Sequence, residues 1–129
     1  MTEAERKRVL VVDDASLVRL YYRAALEEAG FHVEDALNGI EALEKLVTTP
    51  ADLLVVDVNM PQMDGFTFLR TLRRQDLPMA ATPALVVSTE SSTQDLEAAR
   101  AAGANFYLVK PVSGEDLAEY ARMICGITK

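Results

Sequence analysis

One cysteine, Cys125, in 129 residues cannot form an internal disulfide, so packing alone must hold this chain together, in keeping with a reducing compartment. The lone histidine, His32, has no cysteine or histidine companion, which argues against a zinc-type cluster. No apolar run is long enough to span a bilayer, and Thr2-Glu3-Ala4-Glu5-Arg6-Lys7-Arg8 is too charged for the apolar part of a secretory signal. Neither membrane insertion nor export is expected, which makes the location cytoplasmic. Basic residues are outnumbered, 13 against 20, for a formal net charge of -7. Such a field argues against a nucleic-acid partner, because phosphate binding draws on clustered lysine and arginine. Internal repeats, low-complexity segments and linkers are also absent. What remains is 50% hydrophobic and 26% charged, a single domain over 1-129 in which residues 1-7 form a polar tail.

The organising stretch is Leu53-Leu54-Val55-Val56-Asp57. Four consecutive apolar residues predict a strand buried on both faces, and the carboxylate that ends it has left the core for the edge where open α/β sheets bind ligands. Val9-Leu10-Val11-Val12 before Asp13-Asp14, Ala84-Leu85-Val86-Val87 before Ser88, and Phe106-Tyr107-Leu108-Val109 before Lys110-Pro111 repeat the pattern. The alternating Phe31-His32-Val33-Glu34-Asp35-Ala36 suits an outer strand.

Helical spacing separates these strands. Ser16 is expected to cap a helix whose apolar face is Leu17, Leu20, Tyr21, Ala24, Ala25 and Leu26, stopped near Gly30. Asn38-Gly39 reads as a turn before a helix carrying Ile40, Leu43, Leu46 and Val47. Asp64-Gly65 opens a third helix with Phe66, Leu69 and Leu72 inside and Arg70, Arg73 and Arg74 on wetter sides. An alanine-rich helix from about Gln94 to Ala102 ends at Gly103, and Ser113 caps a last one with Leu117, Ala118, Ala121, Ile124 and Cys125 as its apolar face. Five strand-helix alternations predict a parallel sheet covered on both sides, a three-layer α/β/α sandwich.

In that architecture Asp13, Asp14, Asp57, Ser88 and Lys110 all stand at one sheet edge. Three adjacent carboxylates repel unless a cation sits among them, and hard oxygen donors suit magnesium. Lys110 then provides a point charge and Ser88 a hydroxyl for a phosphoryl group, which leaves a carboxylate free to attack phosphorus and form an acyl phosphate.

The order of these pieces, with Met60-Pro61, Asp64-Gly65, Thr89-Glu90 and Ala102-Gly103-Ala104, closely resembles the receiver domains of two-component response regulators, in particular the stand-alone chemotaxis regulators. The resemblance spans Arg8 to Ile124. It implies a (βα)5 flavodoxin-like fold with strand order 2-1-3-4-5, and a cis Lys110-Pro111 peptide. It implies Asp57 as phosphoacceptor, Mg2+ held by Asp14, Asp57 and the backbone carbonyl of Asn59 with Asp13 acting through water, and a switch formed by Ser88 and Tyr107. Lys110 is implied as the charge partner of that switch and Glu90 as a modulator of hydrolysis. A histidine kinase or histidine phosphotransfer protein would supply the phosphoryl group, small donors would also serve, and self-dephosphorylation would be slow. A flagellar motor switch protein is the implied output partner; a phosphorelay intermediate or a phosphate-sink receiver is the alternative.

Two other classes compete. An aspartate-nucleophile hydrolase of the haloacid dehalogenase type would carry a second acid two residues past the nucleophile, where this chain has Asn59. A flavin or nucleotide module would want a glycine-rich loop after the first strand, where this chain has Asp13-Asp14-Ala15-Ser16.

Overall fold

The computed structural model describes residues 6-60 and 62-127; the tail through residue 5, Pro61 and residues 128-129 lie outside them. Five strands, β1 (Arg8–Val12), β2 (His32–Ala36), β3 (Leu53–Asp57), β4 (Ala84–Ser88) and β5 (Phe106–Val109), form one parallel sheet in the order β2-β1-β3-β4-β5. Between and after them run α1 (Ser16–Glu28), α2 (Gly39–Thr48), α3 (Gly65–Arg73), α4 (Thr93–Ala102) and α5 (Gly114–Ile124). No helix among the described residues is long and apolar enough to cross a membrane.

Strand parity sorts the core into two layers. Val9, Val11, Leu53, Val55, Leu85 and Val87 pack with Tyr22 and Leu26 of α1 and Leu117 and Ala121 of α5. Leu10, Val12, Leu54, Val56, Ala84 and Val86 pack with Ala42 and Leu46 of α2, Phe68, Leu69 and Leu72 of α3, and Ala102 of α4. Both faces of each inner strand must be apolar, which is why these strands read as continuous hydrophobic runs.

Several local expectations need correction. Ser16 does not cap α1. Ala15 holds that position without a side-chain bond, and its N–H donates instead to Asp13 Oδ1 at 2.9 Å. The buried face of α1 matches the expected one only at Leu26. Leu17, Leu20 and Tyr21 are 78%, 64% and 52% exposed, while Tyr22 and Leu26 are buried and Val18 packs beside them. The helix carries apolar residues around most of its girth, and the sheet takes the stripe with i, i+4, i+8 spacing. In α2, Ile40 and Val47 face outward and Ala42 joins Leu46 inside. Asn38 is the cap of α2, with a side chain that accepts from the Glu41 N–H at 2.9 Å, so the helix starts where a turn was expected.

Arg73 departs furthest from expectation. Instead of facing water, its guanidinium donates to the carbonyls of Gly103 (2.6 Å), Ala80 (3.0 Å) and Thr82 (2.6 Å) and to Asn105 Oδ1 (2.9 Å). Asn105 Oδ1 also accepts from the Ala84 N–H at 2.8 Å, so one planar cation joins the end of α3 to the start of β4 and the close of α4. A lysine cannot reproduce that fork. Arg73→Met is expected to cost about 2–4 kcal/mol, because several half-buried carbonyls lose their donor together. Urea unfolding checks this, with Arg73→Lys falling between the two.

Candidate functional site

Every strand that ends in a polar residue delivers it to one edge of the sheet. β1 runs out at Val12 and leaves Asp13 buried, 3% exposed, and Asp14 exposed. Asp57 closes β3 at 7% exposure, Ser88 closes β4 at 1%, and Lys110 follows β5. A ligand oxygen from each of Asp13, Asp14 and Asp57 lies within 4.8 Å of the others. Lys110 Nζ reaches over this cluster to Asp57 Oδ1 at 3.1 Å. The Lys110-Pro111 peptide is cis, and the Lys110 N–H donates to the Ser88 carbonyl at 2.7 Å, tying the ends of β4 and β5 together.

The electrostatics follow from this crowding. Burial pushes the Asp13 carboxyl up from its ordinary value of 3.8; the Ala15 N–H pulls it down, and the Asp57 charge adds to the rise. Burial also raises Asp57, against the hydrogen bond and charge of Lys110 and the N–H of Asn59. For Lys110, burial alone would lower the ammonium, but the bond to Asp57 and the charges of Asp57 and Asp13 carry it upward on balance. One ammonium against three carboxylates leaves an excess of negative charge, and the converging oxygens are hard donors. The residues present therefore fit a divalent cation such as magnesium.

The remaining expected residues surround this cluster. Asn59 is exposed and meets Asp57 through its N–H. Ser88 Oγ accepts from the Glu90 N–H at 3.1 Å, and Tyr107 on β5 donates its hydroxyl to the Glu90 carbonyl at 2.8 Å. The Glu90 backbone thus bridges the Ser88 and Tyr107 side chains, while the residue as a whole is exposed. Gly65 contributes by having no side chain. A Cβ there would stand 2.5 Å from the Asp57 carbonyl oxygen and 3.0 Å from Val58 Cα, while Asp64 caps α3 through the Thr67 N–H at 2.8 Å. Gly65→Ala is expected to displace the Asp57 backbone, slowing any reaction at its carboxylate at least tenfold and lowering stability by about 1–3 kcal/mol. Parallel rate and melting measurements test it.

Sequence reasoning missed two nearby residues. Arg19 donates to the Asp13 carbonyl at 2.8 Å and sits 3.6 Å from Asp35 Oδ2, which fixes the turn that presents Asp13. Its spacing of six from Asp13 on a following helix was the available signal. Tyr22 packs under the same edge, and nothing in the adjacent pair Tyr21-Tyr22 tells which ring turns inward. Cys125 is half-buried and its thiol is pushed up to about 11 by burial, which fits a core residue better than a nucleophile.

The family model described as response regulator receiver domain matches residues 9–122. The transcriptional regulatory protein PrrA of Mycobacterium leprae is 42% identical over 110 residues, 85% of this chain and 46% of that protein. The response regulator MprA of Mycobacterium ulcerans is 40% identical over 124 residues, 95% of this chain and 51% of its own length. The chain thus spans about half the length of the curated relatives it matches. Among solved structures, Vibrio cholerae chemotaxis protein CheY4 superposes with a TM-score of 0.86 at 37% identity, covering 92% of this chain and 98% of that one. A Francisella response regulator receiver domain gives 0.85 at 32% identity, covering 96% and 100%.

Proposed function

Because the chain belongs to the response regulator receiver domain family, we propose that Asp57 accepts a phosphoryl group from the phosphohistidine of a histidine kinase or of a histidine phosphotransfer protein. The observation that carries this reading is the convergence of three carboxylates within 4.8 Å under a lysine held 3.1 Å from one of them. An Asp57 carboxylate oxygen attacks phosphorus, the P–N bond to histidine breaks, and the departing imidazole keeps the bonding electron pair and takes up a proton. The product is an acyl phosphate on Asp57. Lys110 transfers its ammonium from the carboxylate oxygen to a phosphoryl oxygen, and Ser88 turns its hydroxyl from the Glu90 N–H to donate to another. Asp13, Asp14, Asp57 and the Asn59 carbonyl are the residues that would hold Mg2+, which when bound neutralises charge on the phosphoryl oxygens.

Tyr107 and Glu90 then carry the change outward. If Ser88 leaves the Glu90 N–H, the loop that also receives the Tyr107 hydroxyl is free to rearrange, and the surface formed by α4, β5 and α5 changes with it. Signalling through altered protein contacts on that surface is the output we propose. Control of a flagellar motor switch protein draws support from the likeness to a chemotaxis protein over nearly its whole chain. The longer relatives, one of them named a transcriptional regulatory protein, favour a different output for the same switch. A relay or sink role would instead show as phosphoryl transfer onward to a histidine protein.

The test is incubation with acetyl phosphate and magnesium, then reduction of the acyl phosphate with tritiated borohydride, which releases phosphate and leaves tritium on the side chain that carried it, and peptide mapping. Label at Asp57 supports the reading; label confined to another residue overturns it. Capture by purified motor switch protein in the presence of beryllofluoride, but not without it, would select the flagellar output.

A further inference from the structure

The connection from β1 to α1 is three residues long, Asp13-Asp14-Ala15, and two of the three carboxylates of the acidic edge belong to it. Such a turn is under load. Oxygens of Asp13, Asp14 and Asp57 stand within 4.8 Å of one another, and like charges at that separation push apart until a cation joins them. The helix that follows gives the turn little help, because Ala15 holds the cap position of α1 without a side-chain bond.

What fixes Asp13 is its backbone. Its N–H donates to the Ala36 carbonyl at the end of β2 at 3.1 Å, and its carbonyl accepts from Arg19 Nη1 at 2.8 Å. Arg19 lies in the first turn of α1 with its side chain only 14% exposed, and its Nε stands 3.6 Å from Asp35 Oδ2 on β2. Arg23 Nη1, one turn further along α1, is 3.9 Å from the same oxygen, so Asp35 is held by two cations. In the sheet Asp35 pairs with Val11 and Ala36 with Val12, directly before the turn. Arg19 therefore clasps the turn to the strand beside β1.

The guanidinium meets the Asp13 carbonyl, not its carboxylate, and its charge is answered by Asp35. The Asp13 carboxylate accepts the Ala15 N–H through Oδ1 and keeps its negative charge for the cluster. We propose that Arg19 is a positioning residue for the magnesium site: by clasping the Asp13 carbonyl to β2 it holds the Asp13 and Asp14 carboxylates in their converged arrangement, so that less must be ordered when the ion binds. This rests on the reading of the acidic edge as a magnesium site. The sign of the effect sets the role apart from plain electrostatics. Removing a positive charge beside an acidic cluster would by charge alone strengthen cation binding, whereas removing a positioning residue weakens it.

The experiment titrates magnesium chloride at constant ionic strength into the 15N-labelled full chain, wild type and Arg19→Met, and follows the amide resonances of the β1-α1 turn. Arg19→Met is expected to lower magnesium affinity about tenfold. Should that variant fail to fold, Arg19→Lys, which keeps the charge but offers a point donor in place of the fork, carries the test with a smaller loss in the same direction. Equal or tighter binding in the folded variant overturns the proposal. Uptake of phosphoryl groups from acetyl phosphate gives a second readout: the variant should be slow at limiting magnesium and return to the wild-type rate at saturation. A deficit that persists at saturating magnesium would place the role of Arg19 elsewhere and overturn the proposal. A wild type that binds no magnesium would overturn the metal reading and the proposal together, which separates that failure from a loss confined to Arg19.

Discussion

Replacing Asp57 with asparagine is expected to remove stable phosphoryl uptake, by at least about 100-fold, since an amide oxygen cannot yield an acyl phosphate. The neighbours are poor substitutes. Asp13 is committed to the Ala15 N–H, and Ser88 is turned toward the Glu90 N–H. The variant should still fold. Its lost ion pair joins a carboxylate already pushed up by burial to a lysine 27% exposed, and Lys110 keeps the Asp13 charge within reach. Radiolabel incorporation and far-ultraviolet circular dichroism together make the test, and full labelling of a folded variant would assign the chemistry to another residue.

Asp13→Asn should separate the cost of the acidic edge from its use. Burial raises the Asp13 carboxyl above 3.8, so the folded state binds this proton more tightly than the unfolded chain does. Stability from this group is therefore lost as pH rises through the window between 3.8 and the raised value, and at neutral pH the ionised carboxylate weighs against folding. In metal-free buffer at pH 7 the asparagine variant is expected to be the more stable by about 1 kcal/mol, roughly 3–5 °C in melting temperature. That advantage should shrink as pH falls toward 4, where wild type takes up the proton. Magnesium should reverse the order at pH 7. At a hundredfold excess over its dissociation constant a ligand adds about 2.7 kcal/mol to the state that binds it, and the variant should forfeit most of that gain. Calorimetry with chelator and with magnesium measures both arms. A variant less stable than wild type in chelator would show that Asp13 is held mainly for its bond to Ala15.

The strands and the acidic edge were legible because the physics is local. Leu53 to Val56 must be apolar on both faces, and Asp57, Ser88 and Lys110 follow directly where the apolar runs stop. Helix faces were less legible. Leu17, Leu20 and Tyr21 satisfy helical spacing as well as Val18, Tyr22 and Leu26 do, and only the sheet decides between two stripes on one cylinder. Arg73 could not be read at all: a charge on a helix reads as solvated until four oxygens from two separate loops are seen to converge on it.

The ladder register reaches further than packing. Asp57 falls opposite Val87, and Ser88 opposite Val109 with Tyr107 two places earlier beside Val86. Counting by twos along β3, Asp57 shares its side of the sheet with Leu53 and Val55, toward α1 and α5, whereas Ser88 and Tyr107 share theirs with Ala84 and Val86, toward α4. The acceptor and the pair that would answer to it are thus addressed by odd and even steps on opposite sides of one sheet. A single residue inserted within β3 or β4 would exchange those addresses. The connections at the far edge, such as 49–52 and 103–105, carry no such parity, and their lengths can drift without rewriting it.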